Sequence, residues 1–122
     1  MEYLLLIYHD EERWANRPEE ERRAIVAEYF ALTSELREKG RYVGGERLDA
    51  SSTAATVRVR DGEQVVTDGP FTETKEQLGG FFRIEADSLE EELEWAAKIP
   101  AARYGSIEVR PVVPVPAEVR AG

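Results

Sequence analysis

Asp68, Gly69, Pro70 and Phe71 stand in the run VTDGPFTETKEQLGGFF, residues 66–82, between two stretches that read as strands. Gly69 is free to take glycine-only geometry, and its place before Pro70 pushes it away from helix. Pro70 fixes its own φ, and Phe71 is expected to anchor the segment in the core. So stiff a frame would aim the Asp68 carboxylate in one direction, as a general base requires. The structural alternative is an Asx-turn, with Asp68 accepting from backbone amides two residues on. Thr72, Glu73, Thr74, Lys75 and Glu76 follow at once. Thr72 could cap a helical turn whose free amides attract an anion, and Lys75 could hold a carboxylate or phosphate. With Gly69 and Pro70 they form the candidate ligand-binding set; the alternative is a solvated turn with local ion pairs.

The second candidate catalytic residue is His9, the one histidine, followed by Asp10, Glu11 and Glu12. Imidazole titrates near neutrality and suits proton transfer, and adjacent acids are expected to raise its pKa. The plainer reading is an exposed histidine at a strand end. A single His among scattered carboxylates has no metal-ligand spacing, so no metal is expected. The chain contains no G-x-S-x-G elbow, Walker loop or dinucleotide G-x-G-x-x-G motif. Hydrolase, kinase and nicotinamide-dependent chemistry are therefore poor readings, and no cofactor is expected.

Such groups work only if regular elements hold them. YLLLIY (3–8) is a short apolar run, expected to be a central strand covered on both faces. Pro18, three glutamates, and Ile25, Tyr29, Leu32 and Leu36 at helical spacing define a long helix closing at Gly40, with Val26 and Phe30 widening its stripe. RYVGGERL (41–48) reads as a strand with a glycine irregularity. TVRVRDGEQVVT is a hairpin turning at Asp61-Gly62, which places Arg60 opposite Glu63. GGFFRIEA (79–86) alternates as a half-buried strand. Ser88 and Glu91 have capping-box spacing at the start of a second helix, with Leu89, Leu93 and Ala96 or Ala97 as its inner stripe. SIEVRPV (106–112) is the last strand. The order β, α, β, hairpin, β, α, β predicts an α+β chain with the ferredoxin-like, split βαβ plan and an extra β-hairpin. One sheet face is left open, and a second copy is the simplest cover, so a homodimer is expected. Residues 1–113 are read as the domain and 114–122 as a C-terminal tail, extended or frayed.

With 122 residues the chain suits one domain. Sixteen basic against 25 acidic residues give a net charge of −9, which argues against direct nucleic-acid binding. Arg58, Arg60, Arg83 and Arg110 are scattered and expected on the solvent face of a sheet. No run approaches the roughly 20 apolar residues of a membrane span, and no signal peptide is read at the N-terminus. Cysteine is absent. A cytoplasmic protein without membrane association is expected.

YLLLIYHDE (3–11), VVTDGPFTETKEQLGGFFRIE (65–85), ELEWAAKIP (92–100) and GSIEVRPV (105–112) together resemble the YCII-related proteins of the DGPF type. The resemblance runs over about residues 1–113 and implies a dimeric α+β barrel of two ferredoxin-like subunits. It also implies the bacterial cytosol and, for some relatives, association with extracytoplasmic-function sigma factors. A His–Asp active-site pair is proposed in the YciI-like branch, but its positions are not matched. No His stands between Pro18 and Gly40, and Ile99 precedes Pro100. Two readings follow. One is an enzyme moving a proton on a small organic molecule, with Asp68 as base and His9 as partner. The other is a non-catalytic small-ligand-binding or regulatory module linked to a sigma-factor system.

Overall fold

Tyr3, Leu5 and Ile7 alternate with Leu4, Leu6 and Tyr8 along strand β1 (Glu2–His9), and only the first set is buried. In this computed structural model, which describes residues 1–120, both long helices pack on that side. They are α2 (Glu19–Glu38) and α3 (Leu89–Lys98); a five-residue helix α1 (Glu11–Ala15) precedes them. The strands β2 (Tyr42–Arg47), β5 (Gln77–Glu85) and β6 (Ser106–Pro111) join β1 in one antiparallel sheet of order β2-β5-β1-β6. Counted without the hairpin, that is the ferredoxin-like order. β3 (Ala55–Arg60) and β4 (Glu63–Asp68) form the separate two-stranded hairpin.

β1 is central, as expected, but only one of its faces is covered by helix. Its other face is mixed: Leu4 lies level with Arg83 and Arg110, and Leu6 with Phe81 and Glu108. Arg83 pairs with Glu2, and Arg110 with Glu108 at 3.0 Å, on that open face.

Helix α2 buries Ile25, Leu32 and Leu36. Its end is closed by Arg41 N–H to Leu36 O at 2.8 Å and Gly40 N–H to Arg37 O at 3.1 Å, the two bonds of a Schellman motif. The stripe is narrower than the sequence suggests, for Phe30 is 71% exposed. Helix α3 departs further. Leu89 and Leu93 are about half exposed, and the inward residues are Glu92, Trp95 and Ala96. The large indole claims the core in place of the leucines and is locked there, its N–H donating to Glu91 Oε2 at 2.9 Å. Glu91 also accepts from the Asp87 amide at 3.0 Å and pairs with Arg41 at 2.9 Å, while Ser88 caps the helix by accepting from Glu91 N–H at 3.1 Å. This rotation buries Glu92 completely, and neither carboxylate oxygen has a hydrogen-bond partner among the described residues.

The hairpin forms where the sequence puts it, with Asp61 and Gly62 both at positive φ, 51° and 79°. Arg60 lies opposite Glu63 in register, but its guanidinium donates to the Val59 carbonyl at 3.0 Å instead. Near the C-terminus, Val112 N–H donates to Glu2 O at 2.9 Å, and Ala117–Arg120 form a short helix α4. The last two residues of the expected tail lie outside the described residues.

Candidate functional site

Where β1 ends, the pairing with β5 slips. Ile7 is level with Gly80 but Tyr8 with Leu78, so Gly79 is the extra residue of a bulge. The bulge seats Gly79 against the His9 ring: a Cβ there would stand 2.6 Å from Nε2. Gly45 and Gly80 face the helices too. Cβ atoms on them would come within 2.8 Å of backbone oxygens of the neighbouring strand. These close approaches leave no room for a Cβ, so the three glycines offer bare backbone as the floor of an open space.

That space is a cleft of about 1010 Å³ between α2 and the β2–β5 half of the sheet. His9, Trp14, Tyr29, Tyr42, Phe82 and Tyr104 supply most of its ring surface. Asp10 caps α1, accepting from the Glu12 and Arg13 amides at 3.0 and 3.1 Å, and so brings Trp14 back over the strand end. The Trp14 ring then meets His9 edge-on at 6.0 Å and stacks on Tyr104 at 6.5 Å. Arg17 also lies over the Tyr104 ring, 4.5 Å from its centroid. Burial holds the Tyr29 and Tyr104 phenols protonated, raising both pKa values.

His9 is half-buried, and its pKa is lowered, chiefly by desolvation and further by Arg47. This corrects the expectation that adjacent acids would raise it. Asp10 and Glu11 do pull upward, but burial outweighs them. Both acids are occupied elsewhere, Asp10 on the α1 amides and Glu11 on the Ser51 amide and hydroxyl at 2.7 and 2.8 Å. Neither ring nitrogen of His9 has a hydrogen-bond partner among the described residues. His9 is thus neutral at pH 7 and able to accept a proton.

The YCII-related domain matches residues 1–116, almost the full length. The chain belongs to the YCII-related family. An uncharacterised protein of Rhizobium meliloti strain 1021 is 40% identical over 114 residues, 92% of each chain. Among solved structures, 5-chloro-2-hydroxyhydroquinone dehydrochlorinase (TftG) of Burkholderia phenoliruptrix AC1100, in complex with 2,5-dihydroxybenzoquinone, is similar with a TM-score of 0.47 at 18% identity. The match covers 93% of this chain and 94% of that one. At that score and identity neither substrate nor mechanism transfers.

In this YCII domain the residues singled out by sequence fall in two places. His9 lines the cleft; Asp68, Gly69, Pro70, Thr72 and Lys75 do not. Asp68 ends β4 opposite Ala55 and is exposed. Gly69 has φ 94°, its N–H donates to Ala54 O at 2.7 Å, and its carbonyl accepts from Thr56 Oγ1 at 2.9 Å. The stiff frame is therefore real, but Phe71 does not anchor it: the ring is 74% exposed. The segment is pinned by its far end instead, where Gln77 Nε2 donates to Thr74 O at 2.6 Å and Ser106 Oγ to Glu76 Oε1 at 2.8 Å. Thr72 caps no helix, since 69–76 is irregular. Among the described residues no cluster of His, Cys, Asp and Glu could hold a metal, and no helix is long and apolar enough to cross a membrane.

Trp14, Tyr29, Tyr104 and Arg47 went unrecognised as site residues. The signal for Trp14 was an aromatic inside the polar run DEERWANRP, with Asp10 at N-cap spacing before two glutamates. Tyr104 and Arg47 carried none, because what places them is the packing of a 3₁₀ turn and a strand edge.

Proposed function

We propose that this YCII-family protein is an enzyme that moves a proton on a small organic molecule held in the aromatic cleft, with His9 as general base. The observation that carries the reading is a neutral, half-buried imidazole with unoccupied nitrogens opening into a cleft walled by rings. His9 takes a proton from a carbon or hydroxyl of the ligand. The negative charge moves onto a ligand oxygen, and Tyr104, kept protonated by burial, donates to it. Asp68, the other candidate, is exposed on the hairpin and joins the chemistry only from a neighbouring subunit. A homodimer is part of the proposal, because the face carrying Leu4, Leu6 and Phe81 has both long helices on its opposite side. Sedimentation equilibrium at micromolar concentration checks that part, and a monomer there refutes it.

One observation favours a second reading, a binding module without turnover. Catalytic imidazoles are commonly oriented by a carboxylate, and here both adjacent acids are engaged elsewhere. The two readings separate in D₂O. Under the enzyme reading, NMR of a panel of 1,3-dicarbonyl compounds shows solvent deuterium entering at least one compound, and His9→Gln abolishes the exchange. Exchange no faster with the parent protein than with His9→Gln, across the panel, removes the enzyme reading.

A further inference from the structure

The cleft does not end at the rings. Trp14, Val26 and Arg47 also line a smaller recess of about 400 Å³, closed by Glu19, Arg22 and Arg23 at the start of α2. Three guanidinium groups thus meet one carboxylate in a chain whose net charge is −9. Their commitments differ. Arg23 pairs with Glu19 at 2.9 Å, so that carboxylate is already partly neutralised. Arg22 donates to the neutral Ala15 carbonyl at 3.1 Å and makes no ion pair among the described residues. Arg47 makes no ion pair among the described residues, yet it is close enough to His9 to lower the imidazole pKa. The acids of the larger cleft, Glu11, Glu46 and Asp49, do not line this recess.

We infer that the recess is an oxyanion subsite and that the ligand of the cleft is a planar ring carrying a carboxylate or phosphoryl group. The ring lies among Trp14, Tyr104 and Phe82, and the oxyanion takes the forked donors of Arg47, with Arg22 supplying further positive charge. The arrangement has a chemical consequence. A bound anion at Arg47 offsets the positive charge that disfavours protonation of His9, so the ligand itself makes the base stronger. The inference rests on the cleft being the ligand site, but not on turnover there.

The test is binding. Benzoate, phenyl phosphate and the neutral isostere benzamide are titrated by calorimetry, while the Trp14 indole N–H is followed by two-dimensional NMR. The expected result is that an anionic probe binds at least tenfold tighter than benzamide and shifts the Trp14 resonance. Arg47→Gln should weaken the anion roughly ten- to a hundredfold, the range of a hydrogen bond to a charged group, and leave benzamide unchanged. Arg47 is exposed, so its replacement is expected to leave the melting temperature in place; Arg22→Gln is the second variant and should give a smaller loss. Comparison of benzoate with phenyl phosphate decides which oxyanion the recess accepts. Equal affinity for benzoate, phenyl phosphate and benzamide overturns the oxyanion subsite and leaves the cleft as the ligand site. No binding and no Trp14 shift with any probe overturns both.

Discussion

Two regions of this molecule carry polar residues in uncommon arrangements, and they are built in opposite ways. The hairpin β3–β4 and the segment after it are distinctive in sequence, yet Val57, Val59, Val65, Val66 and Phe71 are all exposed there. A two-stranded ribbon without a covered face is marginal alone. The His9 cleft contains no memorable run of residues. Its parts come from the end of β1, from α1, α2 and β2, and from the turn before β6, and they are fixed by rings, a helix cap and glycine contacts. A conspicuous motif and a preorganised site are different things. In this chain the motif lies where a single subunit offers it no cover, and the candidate site lies where the core holds it.

If that contrast is right, the cleft should be intolerant and the segment after the hairpin permissive. The largest effect is expected at Gly105, where a Cβ would stand 2.1 Å from the Tyr8 carbonyl oxygen. Only glycine lets the chain carrying Tyr104 cross the strand end beside His9. Gly105→Ala should destabilise by about 3 kcal/mol and move the Trp14 and His9 resonances together, read by chemical denaturation and NMR. A variant as stable as the parent would show that the crossing is looser than described.

Next in size is a pH effect in the scaffold. Burial raises the Glu92 pKa to about 7, well above its ordinary 4.5. The folded chain therefore binds a proton that the unfolded chain releases. Stability from this residue is full below about pH 4.5, falls as pH rises toward 7, and stays low above. At roughly 1.4 kcal/mol per pH unit between 4.5 and about 7, Glu92→Gln should gain up to about 3 kcal/mol on the parent at pH 8 and little at pH 4. Urea midpoints at the two pH values check it, and an equal difference at both would contradict a buried, ionising Glu92.

His9 has the opposite sign. Its folded pKa lies below 6.5, so its contribution is complete above that value and is lost as pH falls through the lowered pKa. NMR titration of the ring should give a midpoint below 6.5, and under the proposed enzyme reading turnover falls on the same limb. A midpoint above 6.5 would mean that Asp10 and Glu11 outweigh burial after all.

The smallest effects belong to the hairpin end. Phe71→Ala and Asp68→Asn should each change stability by less than about 0.5 kcal/mol in the monomer, as exposed positions do. A loss of several kcal/mol on Phe71→Ala would place that ring in an interface, and sedimentation of the variant would show whether the interface is between copies of this chain.

Much of the fold was legible in the sequence because periodicity and punctuation act locally. Ile25, Leu32 and Leu36 at helical spacing, Asp61-Gly62 between alternating valines, and the Ser88–Glu91 cap each place an element regardless of what surrounds it. The phase of α3 was not legible. Leu89 and Leu93 make a plausible apolar stripe, and only the space under α3 decides that Trp95 and a buried Glu92 face inward instead. The candidate site divides along the same line. Sequence identified His9 by residue type and its strand end by pattern. It could not show that the imidazole is neutral, because that depends on desolvation by residues distant in the chain. Nor could it show that a bulge at Gly79, bare floors at Gly45 and Gly80, and the Trp14–Tyr104 stack would hollow out a cleft beside it. Local rules fix where backbone hydrogen bonds close; which side chains share a space is decided only when the elements pack, and the proposed chemistry depends on the second.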